Sequence, residues 1–326
     1  MYRLESILTI EKKKHMKNLL LIIGILFSFS VSTFAQDTIA QDLIISDYVE
    51  GTLLTPNSKT NTLAIIIPGS GPTDRDGNQN FMKNNSLKFL AQDLSNKGIA
   101  AFRYDKRALT MLKKGANAKD IKKVRFDDFV ADAQKVVSYF KNKNRYDKIY
   151  VIGHSQGSLV GMMASTENVD GFISIAGPGK TIDQIILEQI GAMGANDLVE
   201  SAKKTFDIMK TGKVDKNFNP GLANIFNLDV QPFIMNWISY SPTEEFTKLN
   251  IPTLIINGTS DIQVSTTEAK LLKNTKEDAK LVIIENMNHV LKTVASNDTQ
   301  ENTKTYNMPL LKNTPELAEK IIAFIK

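Results

Sequence analysis

Residues 153–157 read Gly153-His154-Ser155-Gln156-Gly157 and directly follow the apolar run Tyr150-Val151-Ile152. A helix-compatible segment, residues 158–164, comes next. This order predicts a strand, a sharp turn and a helix, with Ser155 at the apex of the turn. Such a turn strains its central residue and needs small residues two positions away on either side, which the two glycines provide. We therefore expect an exposed serine hydroxyl beside the positive end of a helix, a setting that favours developing negative charge.

The first 35 residues have the composition of a leader for export. Four lysines precede an apolar run, Leu19 to Phe29, that is shorter than the ~20 residues needed to span a bilayer. Small residues then lead to Ala35, where a signal peptidase would cut. We expect residues 1–35 to be a signal peptide, and the mature chain to be periplasmic or secreted with no membrane span. An uncleaved anchor is the alternative, and Met16 is an alternative start.

Charge and cysteine content exclude several classes of protein. The leader holds five basic and two acidic residues, so the formal net charge of +5 falls to +2 without it. That balance gives no indication of a nucleic-acid partner. The absence of cysteine excludes disulfides and thiolate metal sites, so core packing must stabilise the exported chain.

Apolar β-branched runs alternate with amphipathic segments along most of the remaining chain. This alternation predicts an α/β fold, in which a mainly parallel sheet carries helices on both faces. An early pair of runs, 43–48 and 51–54, predicts an antiparallel hairpin at the sheet edge. The other predicted strands are 62–67, 100–104, 148–152, 171–175, 253–256 and 280–284, and the predicted helices are 87–96, 126–141, 155–165, 265–274 and 315–325.

Residues 179–248 interrupt this rhythm with helical patterns and no convincing strand. We expect them to form a helical cap inserted in a core made of residues 36–178 and 249–326. Five of the aromatic residues in the cap either line an acyl pocket or form the cap's own core. These are Phe206, Phe218, Phe226, Phe233 and Trp237.

A serine nucleophile needs a base, and the chain contains only three histidines. His15 lies in the leader, and His154 adjoins Ser155 within the turn, where we expect it to point away from the reacting face. His289 remains, in a loop after the predicted strand 280–284. We therefore predict that His289 is the base.

The histidine needs an acid to fix its tautomer. Asp261 follows the predicted strand 253–256, at the carboxyl end where open α/β sheets gather functional groups. The order Ser155, Asp261, His289 is the one found on nucleophile elbows of this type. A helix-capping aspartate is the alternative for Asp261, and Glu285 is a weaker candidate for the acid.

Two backbone N–H groups are needed to bind an oxyanion. One comes from the residue after the nucleophile, Gln156, and the other from the loop after the strand 62–67. That loop is the glycine-rich stretch Pro68-Gly69-Ser70-Gly71-Pro72. We predict Ser70 as the second donor, with Gly71 as its neighbouring alternative. The spacing does not fit a phosphate-binding loop.

These motifs resemble the α/β-hydrolase superfamily, and more narrowly the bacterial esterases grouped with serine-aminopeptidase-like hydrolases. Residues 68–78 resemble the oxyanion loop of that subgroup, and residues 102–107, Phe-Arg-Tyr-Asp-Lys-Arg, resemble its next strand-end motif. Ala108 stands where relatives usually have glycine. The resemblance implies hydrolysis of carboxylic esters with short or medium acyl groups.

Charged residues cluster in these two motifs, at Asp74, Arg75, Asp76, Asp105 and Arg107. We expect a salt-bridge network that holds the oxyanion loop, because buried charges are normally paired. With one histidine available, the sequence predicts no metal site and no cofactor.

The leading interpretation is an exported serine carboxylesterase acting on a small-molecule ester. A peptidase or amidase for short peptides is the second hypothesis; Glu188, Asp197 and Glu200 are candidates for holding a substrate amine. A non-catalytic binding protein on a hydrolase scaffold is the third.

Overall fold

The computed structural model describes residues 38–294 and 298–326. Its strands form one eight-stranded sheet in the order β1-β2-β4-β3-β5-β6-β7-β8, in which β1, β2 and β4 pair antiparallel and all later pairs are parallel. The strands are β1 (Thr38–Ser46), β2 (Val49–Pro56), β3 (Thr62–Ile67), β4 (Ala100–Tyr104), β5 (Lys148–His154), β6 (Gly171–Ile175), β7 (Thr253–Gly258) and β8 (Lys280–Ile284).

Helices connect the parallel strands and cover the sheet. In chain order they are α1 (Ser86–Asn96), α2 (Arg107–Lys113), α3 (Ala118–Ile121), α4 (Phe126–Asn142), α5 (Gln156–Ala164), α6 (Ile182–Ala192), α7 (Asn196–Lys210), α8 (Ala223–Phe226), α9 (Gln231–Ile238), α10 (Pro242–Thr247), α11 (Thr266–Thr275), α12 (Thr299–Lys304) and α13 (Pro315–Ile325).

Strand β3 shows why both faces of the sheet are buried. Leu63, Ile65 and Ile67 join a core with apolar residues of α4, α5 and α11. Ala64 and Ile66 point the other way, into a second core with residues of α1 and α13. Because successive side chains of a strand point to opposite faces, a continuous apolar run is what a strand covered on both sides requires.

The segment between β6 and β7 contains helices and no strand among the described residues. Its helices α6 to α9 share a third apolar core that includes Phe206, Phe226 and Ile234. Near its end, Phe246 of α10 packs against Phe172 of β6 in the core of the sheet. The division of the chain into a core and a cap at residues 178 and 249 stays a prediction.

The structure confirms the predicted α/β architecture, the edge hairpin and the six later strands, whose ends differ by at most two residues. Five short helices were not predicted, namely α2, α3, α8, α10 and α12, since each is too short to show an amphipathic period. The predicted signal peptide lies outside the described residues. Among those that are described, no helix has the length and apolar character to cross a bilayer.

Candidate active site

Ser155 occupies the strained turn between β5 and α5. Its backbone has φ 55° and ψ −123°, a region that residues with a side chain rarely adopt. A Cβ at Gly153 would lie 2.2 Å from the carbonyl oxygen of Gly157, and one at Gly157 would lie 2.5 Å from that of Ile67. Both positions therefore have room only for glycine.

The turn stands at the centre of the parallel sheet, where β5 lies between β3 and β6. Ser155 N donates to the carbonyl of Ile175 at the end of β6 (2.9 Å), which fixes the turn to the neighbouring strand. On the other side the loop after β3 lies against it, because a Cβ at Gly69 would be 3.1 Å from Ser155 Cβ.

Asp261 and His289 meet at the carboxyl ends of β7 and β8. His289 Nδ1 lies 2.9 Å from Asp261 Oδ2 and 3.1 Å from Oδ1. Since a carboxylate only accepts, Nδ1 carries the proton and Nε2 is left free to accept one. Asp261 Oδ1 also accepts from the backbone N–H groups of Gln263 (2.8 Å) and Val264 (2.9 Å), which orient the carboxylate. Glu285 is exposed, and within the described ranges the carboxylate bonded to the His289 ring is that of Asp261.

Buried polar side chains hold the two loops that carry this pair. Asn257 Nδ2 donates to the carbonyls of Val264 and Ser265 and so closes the Asp261 loop. Asn288 Oδ1 accepts from Lys292 N, while Nδ2 donates to Asn302 Oδ1 and Thr305 Oγ1. Asn302 Nδ2 in turn donates to Ser260 O, so α12 ties both loops together.

A cavity of about 80 Å³ brings Ser155 and His289 to one space, together with Ser70. No hydrogen bond joins Ser155 Oγ to His289 Nε2 among the described residues. Such bonds are often long in the absence of substrate and shorten when it binds.

The two predicted oxyanion donors are free. Neither the Ser70 nor the Gln156 backbone N–H has an acceptor among the described residues, and Gln156 is the first residue of α5. First-turn N–H groups have no intrahelical partner, so they remain available to a ligand. Ser70 lines the cavity beside Ser155, and Gln156 follows Ser155 directly.

Comparison with known proteins agrees with this geometry. The family described as serine aminopeptidase, S33, matches residues 84–210. Esterase EstD of Thermotoga maritima is 26% identical over 231 residues, which cover 70% of this chain and 54% of that protein. The chain thus spans about half the length of this curated relative. Est1E from Butyrivibrio proteoclasticus has a TM-score of 0.53 at 18% identity, over 88% of this chain and 98% of its own.

The Pyrococcus furiosus esterase PF2001 has a TM-score of 0.50 at 15% identity, over 88% of this chain and 89% of its own. The chain has the α/β-hydrolase fold of these esterases. Among its relatives are serine hydrolases of the carboxylesterase type.

Lys106 is a residue of this site that the sequence did not single out. Its Nζ donates to Gly69 O (2.9 Å) and to Gln156 Oε1, and it lies 4.1 Å from the centre of the Phe129 ring. In a trans peptide the C=O and the following N–H point in opposite directions. Because Lys106 holds the carbonyl of Gly69, it also fixes the direction of the Ser70 N–H. One buried amine thus binds the peptide carbonyl that precedes the Ser70 N–H and the side chain of Gln156, the residue of the other donor.

Burial lowers the pKa of Lys106 to about 7, since no carboxylate lies within ion-pair distance among the described residues. Its position directly after the Arg103-Tyr104-Asp105 stretch was visible in the sequence. The contact between Lys106 and Gly69 depends on the pairing of β4 with β3, and the sequence alone does not show which strands are paired.

The expectation for His154 was wrong. The side chain does not point away from the site: it lines the same cavity as Ser155, and its ring centre lies 5.0 Å from that of His289. His154 Nε2 donates to His289 O (2.9 Å), which requires the proton on Nε2. Burial, and then the neighbouring His289, lower the pKa of His154 to about 4. A neutral His154 therefore supports the backbone of the histidine loop.

The charged residues of the two motifs form separate groups instead of one network. Arg75 binds Asp105 through Nη2 (3.0 Å) and Nε (3.2 Å), and Lys113 binds the same carboxylate. Burial raises the pKa of Asp105, but these bonds outweigh it and leave the pKa below its usual value.

The remaining members of the predicted network have other partners. Arg103 pairs with Asp76 (2.9 Å), and Asp74 closes a turn by accepting from the Asp76 and Asn78 N–H groups. Arg107 leaves the predicted network and pairs with Asp132 of α4 (2.7 Å).

The aromatic residues of the helical segment pack within the protein instead of lining the Ser155 cavity. Phe206 and Phe226 stack edge to face with ring centres 4.8 Å apart. Trp237 lies parallel to Phe126 of α4 at 5.6 Å, and Phe233 contacts Phe129 of α4. Phe218 packs against the core of the segment. The acyl-pocket alternative is therefore wrong for all five.

Proposed function

We propose that the protein hydrolyses carboxylic esters with short acyl groups through an acyl-enzyme formed on Ser155. The observation that carries the proposal is His289, which is bonded to Asp261 and lines the same cavity as a serine held in a strained turn. Asp261 holds the Nδ1–H tautomer, so His289 Nε2 can take the proton of Ser155 as the oxygen attacks.

The backbone N–H groups of Ser70 and Gln156 would hold the oxygen of the tetrahedral intermediate. His289 then gives its proton to the leaving alcohol, and the acyl group remains on Ser155. In the second half of the reaction His289 takes a proton from water, hydroxide attacks the acyl carbon, and Ser155 is released with its proton restored.

Hydrolysis of p-nitrophenyl esters tests this function directly. We expect the full-length chain to hydrolyse p-nitrophenyl acetate and butanoate faster than the octanoate, because a cavity of about 80 Å³ has little room for a long chain. Ser155→Ala should abolish turnover, and Ser158→Ala, a buried hydroxyl bonded to Ser174 Oγ, serves as the matched control. Turnover of these esters by Ser155→Ala at the wild-type rate would overturn the proposal.

A peptidase or amidase is the second candidate, because the matching family is described as a serine aminopeptidase. The carboxylates proposed for a substrate amine do not support it: Glu188 binds Lys180, and none of the three residues lines the Ser155 cavity. Aminoacyl p-nitroanilides separate the two functions. Faster turnover of the anilides than of the esters would favour the peptidase.

We further propose that the chain is exported after cleavage behind Ala35. The lysine-rich start, the short apolar run and the small residues before position 36 support this. Intact mass measured on the protein recovered from the periplasm of expressing cells should begin at Gln36. A chain that keeps its first 35 residues and stays in the cytoplasm would overturn the proposal.

A further inference from the structure

His289 lies in a short loop, residues 288–292, whose two ends are bonded to each other. Asn288 N donates to Lys292 O (2.9 Å), and Asn288 Oδ1 accepts from Lys292 N (2.9 Å). Leu291 within the loop has φ 67°, which residues with a side chain rarely adopt, so its surroundings must hold this shape. The place of His289 therefore depends on what fixes Lys292.

The side chain of Lys292 is fully buried and bonded to two other parts of the chain. Its Nζ donates to Leu311 O (2.7 Å) and to Asn313 Oδ1 (2.9 Å), and it lies 4.7 Å from the centre of the Phe89 ring of α1. Asn313 Nδ2 donates to Ser86 O (2.8 Å), and Ser86 lines the active-site cavity. The amine thus joins the loop of the base to α1 and to the segment before α13.

Burial of this amine is unfavourable for a charged group. In residues 38–294 and 298–326 no carboxylate lies within ion-pair distance of Lys292 Nζ. Burial, and then the charge of Lys312, lower the pKa of Lys292 to about 8, and Asp93 acts in the opposite direction. Bulk alone does not require an amine here, because methionine fills similar space without a charge. What the amine adds is directed bonds to two acceptors and contact with an aromatic face.

We propose that Lys292 is a positioning residue for the base: its amine holds loop 288–292 so that His289 stays bonded to Asp261 and lines the Ser155 cavity. Asp261 fixes the imidazole and His154 holds the His289 carbonyl, whereas Lys292 holds the end of the loop. The proposal rests on the proposed esterase function, in which His289 takes the proton of Ser155. Such a transfer needs the two atoms within ~3 Å, so a loosened loop slows it.

Lys292→Met tests the proposal, because it removes the amine and keeps the volume. Lys312→Met is the matched control, the same change at an exposed lysine whose Nζ lies 4.1 Å from the centre of the same Phe89 ring. Val136→Ala, in the buried core on α4, controls for a loss of stability without a change at the loop. All chains are assayed on p-nitrophenyl butanoate where Trp237 fluorescence shows them folded.

The readout is the separation of kcat from KM. In Lys292→Met we expect kcat to fall by about tenfold or more and KM to change by less than about threefold, because the substrate still binds while the base is misplaced. Lys312→Met and Val136→Ala should keep the wild-type kcat. A wild-type kcat in Lys292→Met, or an equal loss in Val136→Ala, would overturn the proposal and leave the esterase function standing.

Proton NMR of the full-length chain gives a readout that does not depend on ester hydrolysis. A proton held between an imidazole and a carboxylate resonates far downfield, and Asp261→Asn identifies the signal of His289 Nδ1–H by removing it. In Lys292→Met this signal should move upfield or broaden, and in Lys312→Met it should stay in place. An unchanged signal in Lys292→Met would overturn the positioning role. A wild type that hydrolyses no ester would overturn the esterase function, and the NMR signal would still decide whether Lys292 places His289.

Discussion

Burial of Lys106 without a counter-charge predicts a pH-dependent stability that one substitution removes. Lys106→Met fills similar space but has no titrating group. In the folded protein the pKa of Lys106 is lowered to about 7 by burial, whereas an exposed lysine titrates near ~10.4. Between these values the unfolded chain holds more protons than the folded one, so the free energy of unfolding rises with pH.

The size of the effect follows from the two pKa values. The slope grows from about 0.7 kcal/mol per pH unit at pH 7, where Lys106 is half protonated, to about 1.4 kcal/mol per unit at pH 9. Wild type should therefore gain about 2 kcal/mol relative to Lys106→Met between pH 7 and pH 9. Lost bonds to Gly69 O and Gln156 Oε1 weaken the variant by an amount that does not depend on pH.

Urea unfolding of the full-length chains at pH 7, 8 and 9 measures this difference. Trp237 is the single tryptophan and stacks on Phe126, so its fluorescence reports the transition. Lys292, whose pKa burial lowers to about 8, is present in both proteins and cancels in the difference. Parallel plots of unfolding free energy against pH for the two chains would refute the reasoning.

Two further substitutions, and the activity of Lys106→Met, test the site. Asp261→Asn should lower kcat by about 10³- to 10⁴-fold, because the wrong histidine tautomer is then favoured; a loss below tenfold in ester assays would count against the pair. Between pH 6.5 and 4.5 the free energy of unfolding should fall less for His154→Gln than for wild type, because the buried neutral ring of the wild type gains a proton when the chain unfolds. An equal fall for the two proteins in urea unfolding would contradict this. Lys106→Met should lower kcat by about tenfold or more with little change in KM, and an unchanged kcat would show that the Ser70 N–H needs no such support.

The parts of the fold that the sequence predicted are those with a local signal. Strand β3 is a run of apolar residues because both faces are covered, and the Ser155 turn needs two glycines at fixed spacing. Asp261 and His289 were predictable because each follows a strand, and the ends of parallel strands lie at one edge of the sheet.

The parts that were missed depend on which strands are neighbours. Lys106 follows β4 and Gly69 follows β3, so their contact requires the parallel pairing of these two strands. His154 was placed wrongly because its neighbours across the sheet decide where the ring goes, and the His289 carbonyl that it binds lies 135 residues away. Arg107 was expected to join the salt-bridge network of the oxyanion loop, but it pairs with Asp132 of α4 instead.

The identity of the nucleophile is the central claim, and covalent labelling tests it most directly. After treatment with a fluorophosphonate, peptide mass spectrometry of the full-length wild-type chain should find one modified residue, Ser155, because its hydroxyl stands in the strained turn that shares a cavity with the base His289. Ser155→Ala should take up no label. Label on another residue, or undiminished labelling of Ser155→Ala, would contradict the account.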